Sequence, residues 1–328
     1  MTLRKKYWYL VTQSIVFGRG ARRVRLPWIL PDRTIRRCLV RVGVIGLLPR
    51  EIEGITAETV GAIGSLGFSG VAITLADPRG ARRADLMRVR DTLHDRGLWV
   101  AQVVPRHEVL VHPEEERRAQ GIRSLQAACT CAQWLDAAAV YVRPGSLNPA
   151  GPWTPHPDNT RLKTLNRLVD SLRQSAQAAE DVGIPLALEG GAVSPLDTPE
   201  RARDILESVD SPGLRFNADP VNFVRSLDDL YNTTSLIHRL FDLCGPYVVS
   251  AHAKDISVDD SVTVRLRECL LGDGYCDQTA FLQRFAQTCP DGFVLIEHLP
   301  DDQIPVAKAN LDRVLASAGL HWRDGGRP

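Results

Sequence analysis

The chain has 328 residues, 44% of them hydrophobic and 24% charged, with a formal net charge of +1. These are values of a globular protein able to bury a sizeable core, and no stretch reaches the roughly 20 consecutive apolar residues that a membrane-spanning helix needs. Residues 1–41 hold eleven Lys or Arg against one acid, Asp32, leaving 29 basic and 38 acidic residues elsewhere; an acidic body argues against extended nucleic-acid contact, which rests on clustered positive charge.

Residues 1–38 read as a basic, flexible extension. Thr12, Gln13 and Ser14 interrupt its apolar stretch and no small-residue cleavage site follows, which argues against a secretory signal. The seven cysteines are odd in number and scattered, as expected for reduced thiols in a cytoplasmic protein. Cys129 and Cys131 fall within a helical pattern and read as small buried hydrophobes.

From Leu39 the pattern becomes regular. VRVGVIGLL is the first strand, and the helix after it opens on Thr56 with Glu58 two residues on, short of a full capping box. VAITL, a polar helix ending at Gly97, LWVAQVV, a helix with Glu114, Glu115 and Glu116 in its first turn, and AAAVYVRPGS follow in order. The loop SLNPAGPWTPHPDN then leaves the end of the fourth strand and is a candidate substrate lid. A long helix from about Thr160 to Val182 leads to four more short apolar runs, IPLALEGG, LRFNAD, YVVSAH and GFVLIE. Helices are expected near Thr198 to Ser208, Leu227 to Leu243, Thr279 to Thr288 and Ile304 to Ala318.

Eight strands alternating with helices at these intervals predict an α/β fold, a single (β/α)8 TIM barrel over residues 39–320 with a C-terminal tail at 321–328. No Gly-x-Gly-x-x-Gly follows the first strand and no phosphate-cradling Gly-Lys-Ser/Thr occurs, so the usual marks of nucleotide-binding folds are missing.

Four of the apolar runs end in Glu189, Asp219, His252 and Glu297, which would converge on the mouth of such a barrel. Three carboxylates facing one another repel unless a cation sits between them, and one imidazole completes a mixed oxygen and nitrogen set. That donor set favours one divalent ion, Mn²⁺ first or Mg²⁺, with Co²⁺ and Zn²⁺ also compatible; the absence of thiolates at these ends argues against a structural zinc site. His107 after the third strand and Arg143 at the end of the fourth are placed to reach a substrate. Lys254 shares the face of His252, and Asp255 is expected either to support the imidazole or to cap the next helix. His298, next to Glu297, is expected to point outward, toward the helices.

The motifs ALEGG, FNADPVN, SAHAKD and LIEHLP, with LGDGYCD as a Gly-x-Gly turn before the last helix and strand, resemble those of the xylose isomerase-like TIM barrels. That sugar isomerase and epimerase superfamily also includes apurinic-site endonucleases, and the resemblance covers residues 40–318. It implies Glu189, Asp219, His252 and Glu297 as metal ligands and Glu189 with Glu297 as an acid/base pair. A metal-held carbonyl and its neighbouring hydroxyl would favour the enediolate formed when a proton leaves the adjacent carbon.

The sequence departs from the ketose 3-epimerases of the superfamily at Asn222, where they carry a histidine three residues after the metal aspartate. An amide can orient a sugar hydroxyl but cannot titrate near neutral pH. The expected activity is therefore a metal-dependent isomerase or epimerase acting on a small sugar or polyol-derived carbonyl compound. The alternative is a lyase or dehydratase, including β-elimination from a C-glycoside oxidised to its 3-keto form. An apurinic-site endonuclease would need more strand-end histidines than this chain supplies, and a non-catalytic barrel subunit would not need intact metal ligands. A homo-oligomer or a small partner subunit is compatible with this reading; a membrane partner is not expected.

Overall fold

The first strand, β1 (Leu39–Val44), hydrogen-bonds in parallel to strands from opposite ends of the chain, and this closes the sheet. One neighbour is β2 (Gly70–Leu75) and the other is β10 (Phe293–Ile296). Between them the order runs through β3 (Trp99–Pro105), β4 (Val140–Val142), β5 (Leu186–Glu189), β6 (Leu214–Ala218) and β7 (Val248–Ala253), all parallel. The result is the eight-stranded (β/α)8 barrel that the alternation predicts. The computed structural model describes residues 39–323; the expected extension at 1–38 and residues 324–328 lie outside them.

The helices cover the barrel because each carries an apolar stripe at helical spacing. In α4 (Leu162–Val182) the stripe is Leu168, Leu172, Ala176 and Ala179, all buried, and the helix stops at Gly183 in the left-handed conformation. In α3 (Glu115–Leu135) it is Ile122, Leu125, Cys129, Ala132 and Leu135, so Cys129 packs as expected. The remaining helices are α1 (Ala57–Ser65), α2 (Arg83–His94), α5 (Pro199–Val209), α6 (Leu227–Tyr231), α7 (Thr233–Cys244), α8 (Gln278–Thr288) and α9 (Ile304–Ser317). Truncating a stripe residue such as Leu172 to Ala would cost about 2–5 kcal/mol.

The barrel interior is a separate small core. Ala72, Ala101, Phe293 and Leu295 fill it, with the Arg41 guanidinium 5.5 Å from the Phe293 ring centre. Above this apolar plug the interior turns polar, at Gln102, Asn217 and Ser250, before the strands end.

Four local features differ from the sequence-based expectation. Thr59 completes a reciprocal cap with Thr56, a role that the pattern reserves for Glu or Gln. The expected helix from Leu227 to Leu243 is broken at Asn232, whose side chain bonds the Asp228 carbonyl and carboxylate in competition with the helical ladder. An antiparallel hairpin, β8 (Asp255–Val258) with β9 (Leu266–Cys269), stands beside the mouth after β7. In the expected tail, β11 (His321–Trp322) pairs with the start of β1.

Candidate metal centre

Residues alternate faces along a strand, and this decides which strand-end side chains enter the barrel. Phe293 and Leu295 lie in the interior core, so Glu297 follows on the same face. Ser250 and His252 share a face of β7, Asn217 lies on β6 and Tyr141 on β4, and Lys254, Asp219 and Arg143, each just past its strand end, continue the same two-residue alternation. The structure brings the four expected residues together: Glu189, Asp219, His252 and Glu297 are all buried and each offers a donor atom within 4.8 Å of the others.

His252 is the hub of the cluster. Its Nδ1 lies 2.8 Å from Glu189 Oε1 and 3.1 Å from Glu297 Oε2. Its Nε2 lies 2.9 Å from Gln102 Oε1. The Gln102 amide nitrogen donates to Asn217 Oδ1 at 2.8 Å and to Ser250 Oγ at 2.9 Å, so its oxygen faces the ring. An amide oxygen only accepts, so Nε2 carries a hydrogen and Nδ1 is the ring atom that faces the two carboxylates. Nδ1 makes no aligned hydrogen bond to either of them.

Lys254 lies on the other side of the cluster, 2.8 Å from both Asp219 Oδ2 and Glu297 Oε1. Those two oxygens still lack a partner in hydrogen-bond geometry. Lys254 Nζ instead donates to Asn222 Oδ1 at 2.9 Å. Asn222 is fixed in turn by close packing: Ala192 N donates to its carbonyl at 2.7 Å, and a Cβ at Gly191 would come within 2.9 Å of the Asn222 Cβ.

Residues that no strand-end pattern singled out hold the carboxylates in place. The Tyr141 hydroxyl donates to Glu189 Oε2 at 2.7 Å, and Asn217 donates to Glu189 Oε1 at 2.9 Å. The Tyr141 ring also stacks on His252, with centroids 5.5 Å apart. The available signal was alternation, since Tyr141, Asn217 and Ser250 each stand two residues before a residue already marked. Gln102 had no such signal: a register irregularity opposite Val71 and Ala72 sets its position in β3.

The other expected residues divide. His107 and Arg143 line a cavity of about 640 Å³ over β3 and β4, beside the acidic cluster rather than within it. Asp255 neither touches the imidazole nor caps a helix. Its carboxylate accepts the N–H groups of Ile256, Gly272, Gly274 and Cys276 at 2.9–3.1 Å, pinning the LGDGYCD turn against the hairpin. A Cβ at Gly274 would collide with that carboxylate, which accounts for glycine there. His298 does not point to the helices. It adopts a left-handed backbone with φ 58°, and this breaks the alternation so that Nδ1 meets the hairpin residue Glu268 at 3.0 Å. The loop after β4 is tied down by buried Asn159, which accepts from Leu147 N and donates to Ser146 and to Val193 O.

The electrostatics follow from burial. Burial pushes the Asp219 pKa up to about 7; Lys254 opposes this, and Glu189 and Glu297 add to it. Burial also opposes the charge on His252, but Glu297 and Glu189 outweigh it and raise the pKa to about 10. Glu297 resists burial because His252 and Lys254 hold it well below the usual carboxylate range. By themselves the three carboxylates are thus balanced by the Lys254 ammonium and a protonated imidazole, and His252 Nδ1, Asp219 Oδ2 and Glu297 Oε1 are buried without aligned partners. A divalent cation fits this donor set, since it would take the place of the imidazole proton, add positive charge among the carboxylates and accept a lone pair from each of the three atoms.

Closed parallel barrel and buried carboxylate–imidazole cluster together define a (β/α)8 protein with a centre able to chelate a divalent ion at the C-terminal ends of its strands. The profile of one family, described as xylose isomerase-like TIM barrel, matches residues 60–317, and the chain belongs to that family. No curated protein sequence matches the chain. Among solved structures, a xylose isomerase-like TIM barrel protein from Mycobacterium smegmatis in complex with magnesium is similar, with a TM-score of 0.66 and 18% identity over 85% of this chain and 97% of that one. A 3-keto-D-glucoside 4-epimerase from E. coli superimposes with a TM-score of 0.63 and 19% identity, covering 84% and 99% of the two chains. A D-psicose 3-epimerase with D-tagatose from Clostridium cellulolyticum H10 gives 0.64 and 15%, over 84% and 99%. At these identities the likeness is one of fold.

Proposed function

We propose that the protein is a divalent-metal-dependent isomerase or epimerase that moves a proton on a carbon next to a carbonyl of a small sugar or polyol-derived substrate. Glu189, Asp219, His252 and Glu297 would hold the ion, Mn²⁺ by preference, and Glu189 and Glu297 would carry the proton. One observation carries this reading: two buried carboxylates flank His252 Nδ1 at 2.8 and 3.1 Å without an aligned hydrogen bond. A bound ion supplies stabilisation of the negative charge that develops on the substrate oxygens as the proton leaves.

The chain's own residues supply the rest. Tyr141 and Asn217 each donate to a different oxygen of Glu189, which fixes the direction in which that carboxylate presents a lone pair. Glu297 is held ionised by its neighbours and is ready to accept a proton. Asn222, pinned by Gly191 and bonded by Lys254, is placed to orient a hydroxyl.

A second reading has its own support. Lys254 is buried yet held charged by Asp219 and Glu297, and its ammonium lies 2.8 Å from Glu297. A base and a charged acid so close together suit β-elimination, with Glu297 taking the proton and Lys254 giving one to the departing oxygen. The test is incubation of Mn²⁺-loaded protein with keto-sugars, inososes and oxidised glycosides in D2O. Deuterium incorporation at unchanged carbon skeleton supports isomerisation or epimerisation, and loss of water or of the aglycone supports elimination. Exchange that persists in both Glu189→Gln and Glu297→Gln would rule out the roles given to these residues.

A further inference from the structure

The mouth of the barrel is divided by charge. The acids sit on β5, β6 and the strand end after β10, whereas the cavity over β3 and β4 is lined by Arg106, His107, Arg117 and Arg143 with one acid, Glu108. That acid is taken: Arg117 donates to it at 2.8 Å. His107 does not add to the charge. Its Nδ1 lies 2.8 Å from the Glu108 carbonyl, so Nδ1 bears the hydrogen, and burial with the neighbouring Arg143 charge lowers its pKa to about 4.

Arg143 and Arg106 remain. Among the described residues, neither guanidinium donates a hydrogen bond or forms an ion pair, although that of Arg117 in the same cavity does. Arg143 is the more demanding of the two, since its Nε is buried with no acceptor. A desolvated guanidinium without a counter-charge is costly, and it would be kept where a ligand supplies the missing anion. The acid whose field reaches Arg143 is Glu189, already occupied by Tyr141, Asn217 and His252. Arg143 also stands two residues beyond Tyr141, just past the end of β4, a step of roughly 6.5–7 Å toward the rim from the residue that holds Glu189.

We propose that Arg143 and Arg106 form an anion subsite, so that the substrate is an acidic sugar derivative. Its carboxylate or phosphate would lie against the two guanidinium groups while its reacting carbon reaches Glu189 and Glu297. The inference rests on the function proposed above in that it places the reacting end at the metal centre. A bidentate guanidinium contact makes an anionic ligand bind at least about tenfold more tightly than its neutral counterpart.

The experiment is calorimetric titration of the Mn²⁺-loaded protein with D-gluconate, D-glucitol 6-phosphate and D-glucitol, polyols that lack a carbonyl and are not turned over. Gluconate or the phosphate ester should bind at least about tenfold more tightly than glucitol, the stronger of the two identifying the anion. The preference should shrink as salt is raised and be largely lost in Arg143→Gln and in Arg106→Gln. Arg143→Gln should also raise the unfolding temperature by about 2–4 °C, because it removes an unpaired, half-buried charge. Equal binding of the three polyols, or a preference that survives in the double variant, overturns the inference. Separate titration of Mn²⁺ distinguishes the two readings. Metal binding and proton exchange without an anion preference leave the proposed function standing and sink this subsite; an anion preference in a protein that takes up no metal does the reverse.

Discussion

The Tyr141 hydroxyl donates a 2.7 Å hydrogen bond to Glu189 Oε2, while the other oxygen of that carboxylate faces His252. Burial, and then the Glu189 charge, push the phenol pKa well above its ordinary value, so the hydroxyl stays a donor throughout the working range. Tyr141→Phe should therefore leave the fold intact and weaken Mn²⁺ affinity or proton exchange by about 10–100-fold. Mn²⁺ titration together with exchange into D2O checks this, and unchanged values for both would show that the contact does not position Glu189.

Gln102 ties His252 to Asn217 and Ser250; because Ser250 Oγ also donates to Asn217 Oδ1 at 2.7 Å, loss of the amide would leave His252 Nε2 as the orphaned buried group. Gln102→Leu should destabilise the barrel by about 1–3 kcal/mol, the cost of one buried polar group left unsatisfied. Urea denaturation of the two proteins measures the difference. A variant as stable as the parent would mean that water or a relaxed rotamer replaces the amide.

Metal loading should stabilise the protein, because the closely spaced donors exist only in the folded chain. At Mn²⁺ a hundredfold above its Kd the gain is about 2.7 kcal/mol, read as a higher Tm that EDTA reverses. Asp219→Asn, which removes a carboxylate from the set, should abolish most of the shift. A shift of equal size in that variant would place the ion elsewhere.

Asp255 accepts four backbone N–H groups. Asp255→Ala should loosen the turn at residues 270–277 and cost about 2–5 kcal/mol, since it leaves buried donors unpaired. Hydrogen exchange should show the loss concentrated in that turn and in the β8–β9 hairpin. Uniform protection across both would contradict the role.

His107 gives a pH dependence with a definite sign. Its pKa in the folded protein is about 4 against an ordinary 6.5, so between those values the unfolded chain binds the extra proton. Stability from this group is full above about pH 6.5 and declines as the pH falls toward 4, by on the order of 3 kcal/mol. His107→Gln should flatten that part of the stability curve relative to the parent, as measured by denaturant unfolding between pH 4 and 7. Parallel curves would show that the imidazole is not buried neutral.

Much of this molecule is legible in the chain itself. A charged residue closing a buried apolar run is costly unless something uses it, so Glu189, Asp219, His252 and Glu297 stand out one strand at a time, and the regular spacing of those strands implies the closed barrel. Lys254 follows from alternation alone. What the chain does not carry locally is the pairing of atoms across the barrel. Gln102 meets His252 across 150 residues of sequence, through a register irregularity that no pattern of types announces. His298 turns back to Glu268 because its own backbone is left-handed, and Asp255 spends its carboxylate on a turn that approaches only once the hairpin is folded. Period and burial are properties of a segment and can be read from it; closure, register and the direction of a side chain arise when distant segments meet, and they made the acidic cluster a candidate metal centre and left Arg143 without a counter-charge.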